Sequence, residues 1–157
     1  MKRLLLCLAL LLLPSMAFAH DGVHAKNAYA LETAPGSTVG AVFMDITALK
    51  ATENDALLKV VTPRATKAEI HTITTDDMGV AKMRPLDRLV IPMEKTTSLK
   101  QGADHIMLLG LTAPLIAGES FPMTLTFERG EIIDVNVIVR SMGDTTPLTT
   151  EESHVGH

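Results

Sequence analysis

Short runs of apolar and β-branched residues, each cut off by turn residues, constrain this chain more than any other feature. Alternation of period two is read over residues 23–31, 39–47, 57–62, 68–74, 80–84, 89–91, 97–99, 105–109, 123–128 and 132–140. Turn chemistry falls between these runs, at Ala34-Pro35-Gly36-Ser37, Glu53-Asn54-Asp55, Asp76-Asp77-Met78-Gly79, Gln101-Gly102-Ala103-Asp104, Gly118-Glu119 and Arg129-Gly130-Glu131. A chain of short strands with no long helical stripe can bury its apolar faces only by folding sheet against sheet. The expectation is an all-β domain, a Greek-key β-barrel or sandwich.

The N-terminus follows a different rule. Lys2 and Arg3 precede an apolar segment over residues 4–13, Pro14 and Ser15 break it, and Ala17-Phe18-Ala19 is a small-x-small sequence. This is the pattern of a cleaved export signal, and about ten apolar residues fall well short of a bilayer span. Residues 1–19 are therefore expected to be removed, leaving His20 as the first residue of an exported, periplasmic protein without a membrane span. Cys7 is the only cysteine. It lies near the start of the apolar segment, whereas a lipoprotein signal carries its cysteine at the end, so no lipid anchor is expected. The domain is expected over residues 20–140, followed by a flexible polar tail over 141–157 that contains histidine.

Loss of the signal removes all thiol chemistry from the mature chain. Disulfides, a zinc–thiolate site and the cysteine ligand of a blue-copper centre are thereby excluded. Without Lys2 and Arg3 the chain has 12 basic and 18 acidic residues, a net charge of about −6, which argues against nucleic acid as a partner. A monomer is expected.

Against this background four side chains stand out: His71, Met83, His105 and Met107. Their spacing is His, eleven residues, Met, twenty-one residues, His-x-Met. Two imidazoles and two thioethers with no thiol suit the soft, closed-shell Cu(I) ion, whereas zinc would use the imidazoles and gain little from the sulfurs. His105 and Met107 are two apart in a candidate strand, so they share a side with Cα atoms about 6.6 Å apart. His71 and Met83 flank the Asp76–Gly79 turn, which would bring both to one side of a hairpin. Ile106 and Leu108 alternate with the proposed ligands and are expected in the core. Copper affinity should fall in acid as protons compete for the imidazoles, while the thioethers are indifferent. The site is expected to be exposed and shallow.

Other readings of the same residues are possible on general grounds. Methionine in a β domain is most often core filler, and an exported β-sandwich adaptor needs no metal. A copper storage or resistance protein without a dedicated acceptor would share the ligand set. An enzyme is not expected, because no nucleophile, base and orienting group stand out together. His20 and His24 at one end, with His154 and His157 at the other, suggest a secondary Cu(II) site, since a free N-terminal histidine offers both an amine and a ring nitrogen.

The four-residue spacing, with Pro35-Gly36, Gly40-Ala41-Val42-Phe43-Met44, Glu69-Ile70-His71, Met83-Arg84-Pro85, His105-Ile106-Met107-Leu108 and Leu125-Thr126-Phe127-Glu128, resembles the periplasmic copper(I) chaperones of the PCu(A)C type. The resemblance covers roughly residues 23–140. Thr72 stands where many relatives have methionine. The resemblance implies a cupredoxin-like or Ig-like Greek-key fold, Cu(I) ligation by His71, Met83, His105 and Met107, and delivery of copper to an accepting protein. That acceptor would be the CuA-bearing subunit of cytochrome c oxidase or another copper chaperone.

Overall fold

The computed structural model describes residues 22–49 and 53–144. Ten strands occupy most of them: β1 (Gly22–Leu31), β2 (Val39–Leu49), β3 (Asp55–Val61), β4 (Ala65–Thr75), β5 (Ala81–Leu86), β6 (Leu89–Ile91), β7 (Thr96–Leu99), β8 (His105–Leu111), β9 (Ser120–Phe127) and β10 (Ile132–Arg140). Each expected run is a strand. Three of them, β3, β4 and β9, begin two or three residues earlier than alternation indicates, because cross-strand pairing extends them. Lys67 on β4, for example, lies opposite Leu109 on β8.

The strands follow one another in space as β5-β4-β8-β2-β1-β10-β9-β3-β6, with β7 also paired to β2. All pairings between strands are antiparallel except β1 with β10, where Tyr29 lies opposite Ile138. The chain crosses repeatedly between the half containing β2, β4 and β8 and the half containing β3, β9 and β10, as the Greek-key expectation requires.

One apolar cluster fills the space between these halves. Met44 and Ile46 of β2, Ile70 of β4, and Ile106 and Leu108 of β8 meet Leu57 of β3, Met123, Leu125 and Phe127 of β9, and Val137 of β10. Ile106 and Leu108 thus point inward as expected, which commits His105 and Met107 to the opposite face of β8. Burial of a dozen large apolar side chains, each contributing about 1.5–3 kcal/mol, makes this cluster the main source of stability in a domain without disulfides.

Both ends of the sheet are blunted. Strand β6 is three residues long, and β5 carries Lys82, Arg84 and Pro85, residues that discourage further strand addition. Beyond β10 the chain does not leave at once. Residues 141–144 form a turn in which Asp144 N–H donates to the Ser141 carbonyl at 3.1 Å, and Arg140 binds the Asp144 carboxylate. This ion pair holds residues 141–144, the first of the stretch expected to form the tail, beside β10.

Candidate metal centre

Register decides which side chains can meet. His71 on β4 lies directly opposite His105 on β8, and Glu69 lies opposite Met107. On the other side of β4, Ile73 lies opposite Met83 of β5 and His71 opposite Pro85. Directly paired residues share a side of the sheet, as do residues two apart along a strand. His71, Met83, His105 and Met107 therefore all stand on one face, the face turned away from the core.

They are not equally close. With strands about 4.8 Å apart and a rise of about 3.4 Å, His71, His105 and Met107 form a triangle with Cα separations of roughly 5–8 Å. Met83 is a diagonal neighbour of His71, about 8 Å away, but about 12 Å from His105 and about 17 Å from Met107 on the same lattice. The structure thus brings three of the four together and sets Met83 beside His71 on the edge strand.

The hairpin that carries Met83 is built as its sequence dictates. The Asp76 carboxylate accepts from the N–H groups of Met78 and Val80 at 3.1 and 2.9 Å, and Gly79 supplies the left-handed conformation with φ of 79°. Lys82 reaches back to the same carboxylate at 2.9 Å. The hydrogen bond from Lys82, followed by those from the backbone, holds the Asp76 carboxyl below its ordinary range.

The site is less exposed than expected. His71 and His105 retain only 8% and 5% of their accessible surface, whereas Met83 retains 49%. The cover is a row of rings across the outer face. His71 and His105 have ring centroids 6.0 Å apart, Phe43 lies 6.3 Å from His105, and Tyr29 lies 5.2 Å from Phe43. The Arg140 guanidinium ends the row, 5.3 Å from the Tyr29 centroid. Five adjacent strands each contribute one member.

Tyr29 reaches this row through a β-bulge. Lys26 pairs with Asp45 and Tyr29 with Phe43, so β1 has one residue more than β2 between the two pairs. Without it Ala28 would face Phe43 and Tyr29 would point into the core. Asn27 takes up the extra residue with φ of 57°, and its amide donates to Asp45 at 2.9 Å.

Each imidazole has one nitrogen engaged by the protein. His105 Nδ1–H donates to the Ala103 carbonyl at 2.8 Å. His71 Nε2–H donates to Glu69 Oε2 at 2.9 Å, and the other Glu69 oxygen binds Lys67 at 2.5 Å. Lys67, and then His71, hold the Glu69 carboxyl below its ordinary range. His71 Nδ1 is buried and has no hydrogen-bond partner. Two imidazoles with oriented rings, a thioether beside them and an unpartnered ring nitrogen form a donor set that fits a soft cation. No group of three or more His, Cys, Asp or Glu able to hold a metal occurs among the described residues.

Glu69, Phe43, Tyr29 and the Ala103 carbonyl have no role that spacing alone assigns. The sole local signal was Glu69 two residues before His71, which on a strand places it on the same side. Of the terminal histidines, His24 lies within β1 opposite Thr47 and is half-buried. His20, His154 and His157 lie outside the described residues, as does the expected signal over residues 1–19 with Cys7. No helix among the described residues is long and apolar enough to cross a membrane.

Comparison with known proteins shows the fold and the family. Solved structures with the same fold include the copper-bound PCuAC domain of PmoF2, with a TM-score of 0.66, 17% identity, and coverage of 80% of this chain and 97% of that one. The Cu(I) form of DR1885 from Deinococcus radiodurans superposes with a TM-score of 0.60 at 32% identity, over 73% of this chain and 76% of that one. A putative lipoprotein of Leifsonia xyli subsp. xyli is 32% identical over 122 residues, 76% of this chain and 70% of the relative. The family model described as putative lipoprotein LpqE-like matches residues 23–139. With nearly the whole described domain inside that match and PCuAC domains as its structural neighbours, this chain belongs to the LpqE-like family, of PCuAC type.

Proposed function

We propose that this protein is an exported, non-enzymatic metallochaperone that carries Cu(I) and hands it to an accepting protein. The observation that carries the reading is the direct opposition of His71 and His105 across β4 and β8, with Met107 beside them and each ring held at one nitrogen. His71, His105 and Met107 form the nucleus of the site, and Met83 adds its sulfur from the edge hairpin. Two structural neighbours, the PCuAC domain of PmoF2 and DR1885, are copper-bound, which supports the same cargo. Thioether and imidazole ligands carry no obligate charge, so a partner with stronger ligands can displace them one at a time without a covalent step.

The acceptor we infer is the CuA centre of cytochrome c oxidase, in the periplasm, met by a monomeric carrier. A Cu(I) competition titration comparing wild type with Met107→Ala and His71→Ala tests the site. Affinities equal to wild type in both variants would sink it and leave an exported β-sandwich adaptor as the alternative.

A secondary Cu(II) site formed by His20, His24, His154 and His157 belongs to the same proposal. His24 lies on β1 seven residues before Leu31, which pairs with Arg140, so the C-terminal segment starts about 24 Å away from it along the strand. Ten Cα–Cα steps lead from Asp144 to His154 and span at most about 35 Å when extended, enough to return.

A further inference from the structure

The two imidazoles are not equivalent in their hydrogen bonds. His105 donates from Nδ1 to the Ala103 carbonyl, which leaves the lone pair on Nε2. His71 has its Nε2 against the Glu69 carboxylate and its Nδ1 buried without a partner. A carboxylate accepts, so the proton of a neutral His71 sits on Nε2 and its lone pair on Nδ1. The opposite tautomer would set an imidazole lone pair against a carboxylate and bury an N–H with no acceptor. Both are unfavourable.

We propose that Glu69 is a positioning residue that fixes the His71 tautomer, so that His71 offers Nδ1 and His105 offers Nε2 to the bound ion. This rests on the Cu(I) site proposed above and adds to it which atom of each ring binds. Glu69 is suited to the task because it lies on the same face as His71, opposite Met107, and is anchored by Lys67 on its second oxygen. An acceptor so held orients the ring as well as its proton, as carboxylates behind metal-bound histidines do.

The consequence for geometry is specific. Binding through Nδ1 places an ion closer to the β4 backbone than binding through Nε2, beneath the outer end of the ring and away from solvent. The Glu69 bond would persist in the loaded protein and not be broken by loading.

Long-range 1H–15N correlation spectra of the ring nitrogens, recorded on full-length protein with labelled histidine at about pH 8.5, where ordinary imidazole is neutral, test this directly. The apo protein should show His71 protonated at Nε2 and His105 protonated at Nδ1. Addition of Cu(I), which is diamagnetic, should shift His71 Nδ1 and His105 Nε2. Glu69→Leu should release His71 to a mixture of tautomers while leaving the His105 pattern intact, and Glu69→Gln, whose amide oxygen can still accept, should restore the wild-type pattern. A His71 protonated at Nδ1, or one whose Nε2 takes the copper shift, would overturn the assignment while leaving the Cu(I) site standing. If neither ring responds to Cu(I), the site itself is wrong and the assignment fails with it. The wild-type spectra decide the matter even if the Leu variant does not fold.

Discussion

Phe43→Ala is the perturbation that most directly connects the packing of this domain to its site. Phe43 retains 3% of its accessible surface, yet it lies on the face of β2 turned away from the central apolar cluster and is covered by Tyr29 and His105. Full burial of a phenylalanine is worth about 2–3 kcal/mol, and each favourable ring neighbour adds about 0.5–1 kcal/mol. The outer-face position lets Tyr29 relax into part of the space, which reduces the cavity penalty that a core site would suffer. A loss of about 3 kcal/mol is therefore expected. For the 120 described residues the unfolding entropy is roughly 0.25 kcal/mol/K, so the melting temperature should drop by about 12 °C. Phe43→Leu keeps most of the apolar contact and should lose about 1 kcal/mol. The same substitution removes the wall against which the His105 ring rests, so Cu(I) affinity of the folded Ala variant should fall about tenfold, the lower range for a group supporting a ligand. Calorimetry and a Cu(I) competition titration read the two effects separately. A stability change under 1 kcal/mol would show that the ring row is not packed, and unchanged copper affinity in a destabilised variant would show that His105 is held without Phe43.

Because Met107 adjoins both imidazoles and Met83 adjoins only His71, Met107→Ala should weaken Cu(I) binding more than Met83→Ala in the same titration; the reverse order would contradict the register. Intact mass of the exported protein should correspond to a chain beginning at His20, and a lipid-modified chain beginning at Cys7 would refute the proposed processing. Removal of everything after Asp144 should lower Cu(II) stoichiometry while keeping the Arg140–Asp144 turn; unchanged stoichiometry would remove the terminal site. Asp76 has its folded pKa below the unfolded value, so the β4–β5 hairpin is supported above the ordinary carboxyl range and loses that support as pH falls through the folded value. Urea midpoints of wild type should accordingly approach those of Asp76→Asn in acid, and a constant gap between them would refute the linkage.

Strand content was readable because alternation and turn chemistry are local. The Asp76–Gly79 hairpin is the clearest case, since its carboxylate, its glycine and its flanking β-branched residues sit within a few positions of one another. Pairing is not local, and the extra length of β3 and β4 comes from partners tens of residues away. The bulge at Asn27 escapes any period-two reading, because a single inserted residue reverses the facing of everything after it and leaves no mark in composition. The four proposed ligands were legible through their spacing and its resemblance to a family, and alternation correctly set His105 and Met107 opposite Ile106. Burial of the two imidazoles was not, since it depends on Phe43 and Tyr29 arriving on the outer face from other strands. Unequal distances within the site likewise follow from register, which spacing does not determine.

The row of rings has one spectroscopic consequence. The chain contains a single tyrosine and no tryptophan, and that tyrosine, Tyr29, is separated from the His105 imidazole only by the Phe43 ring. The one strong intrinsic fluorophore of the protein is therefore built into the same layer as the proposed metal ligands, clamped on its other face by Arg140. Its emission is expected to change when copper binds at the proposed site, and stopped-flow mixing with an acceptor would then follow transfer without any label; emission indifferent to Cu(I) would show that the ring row does not sense the ligands.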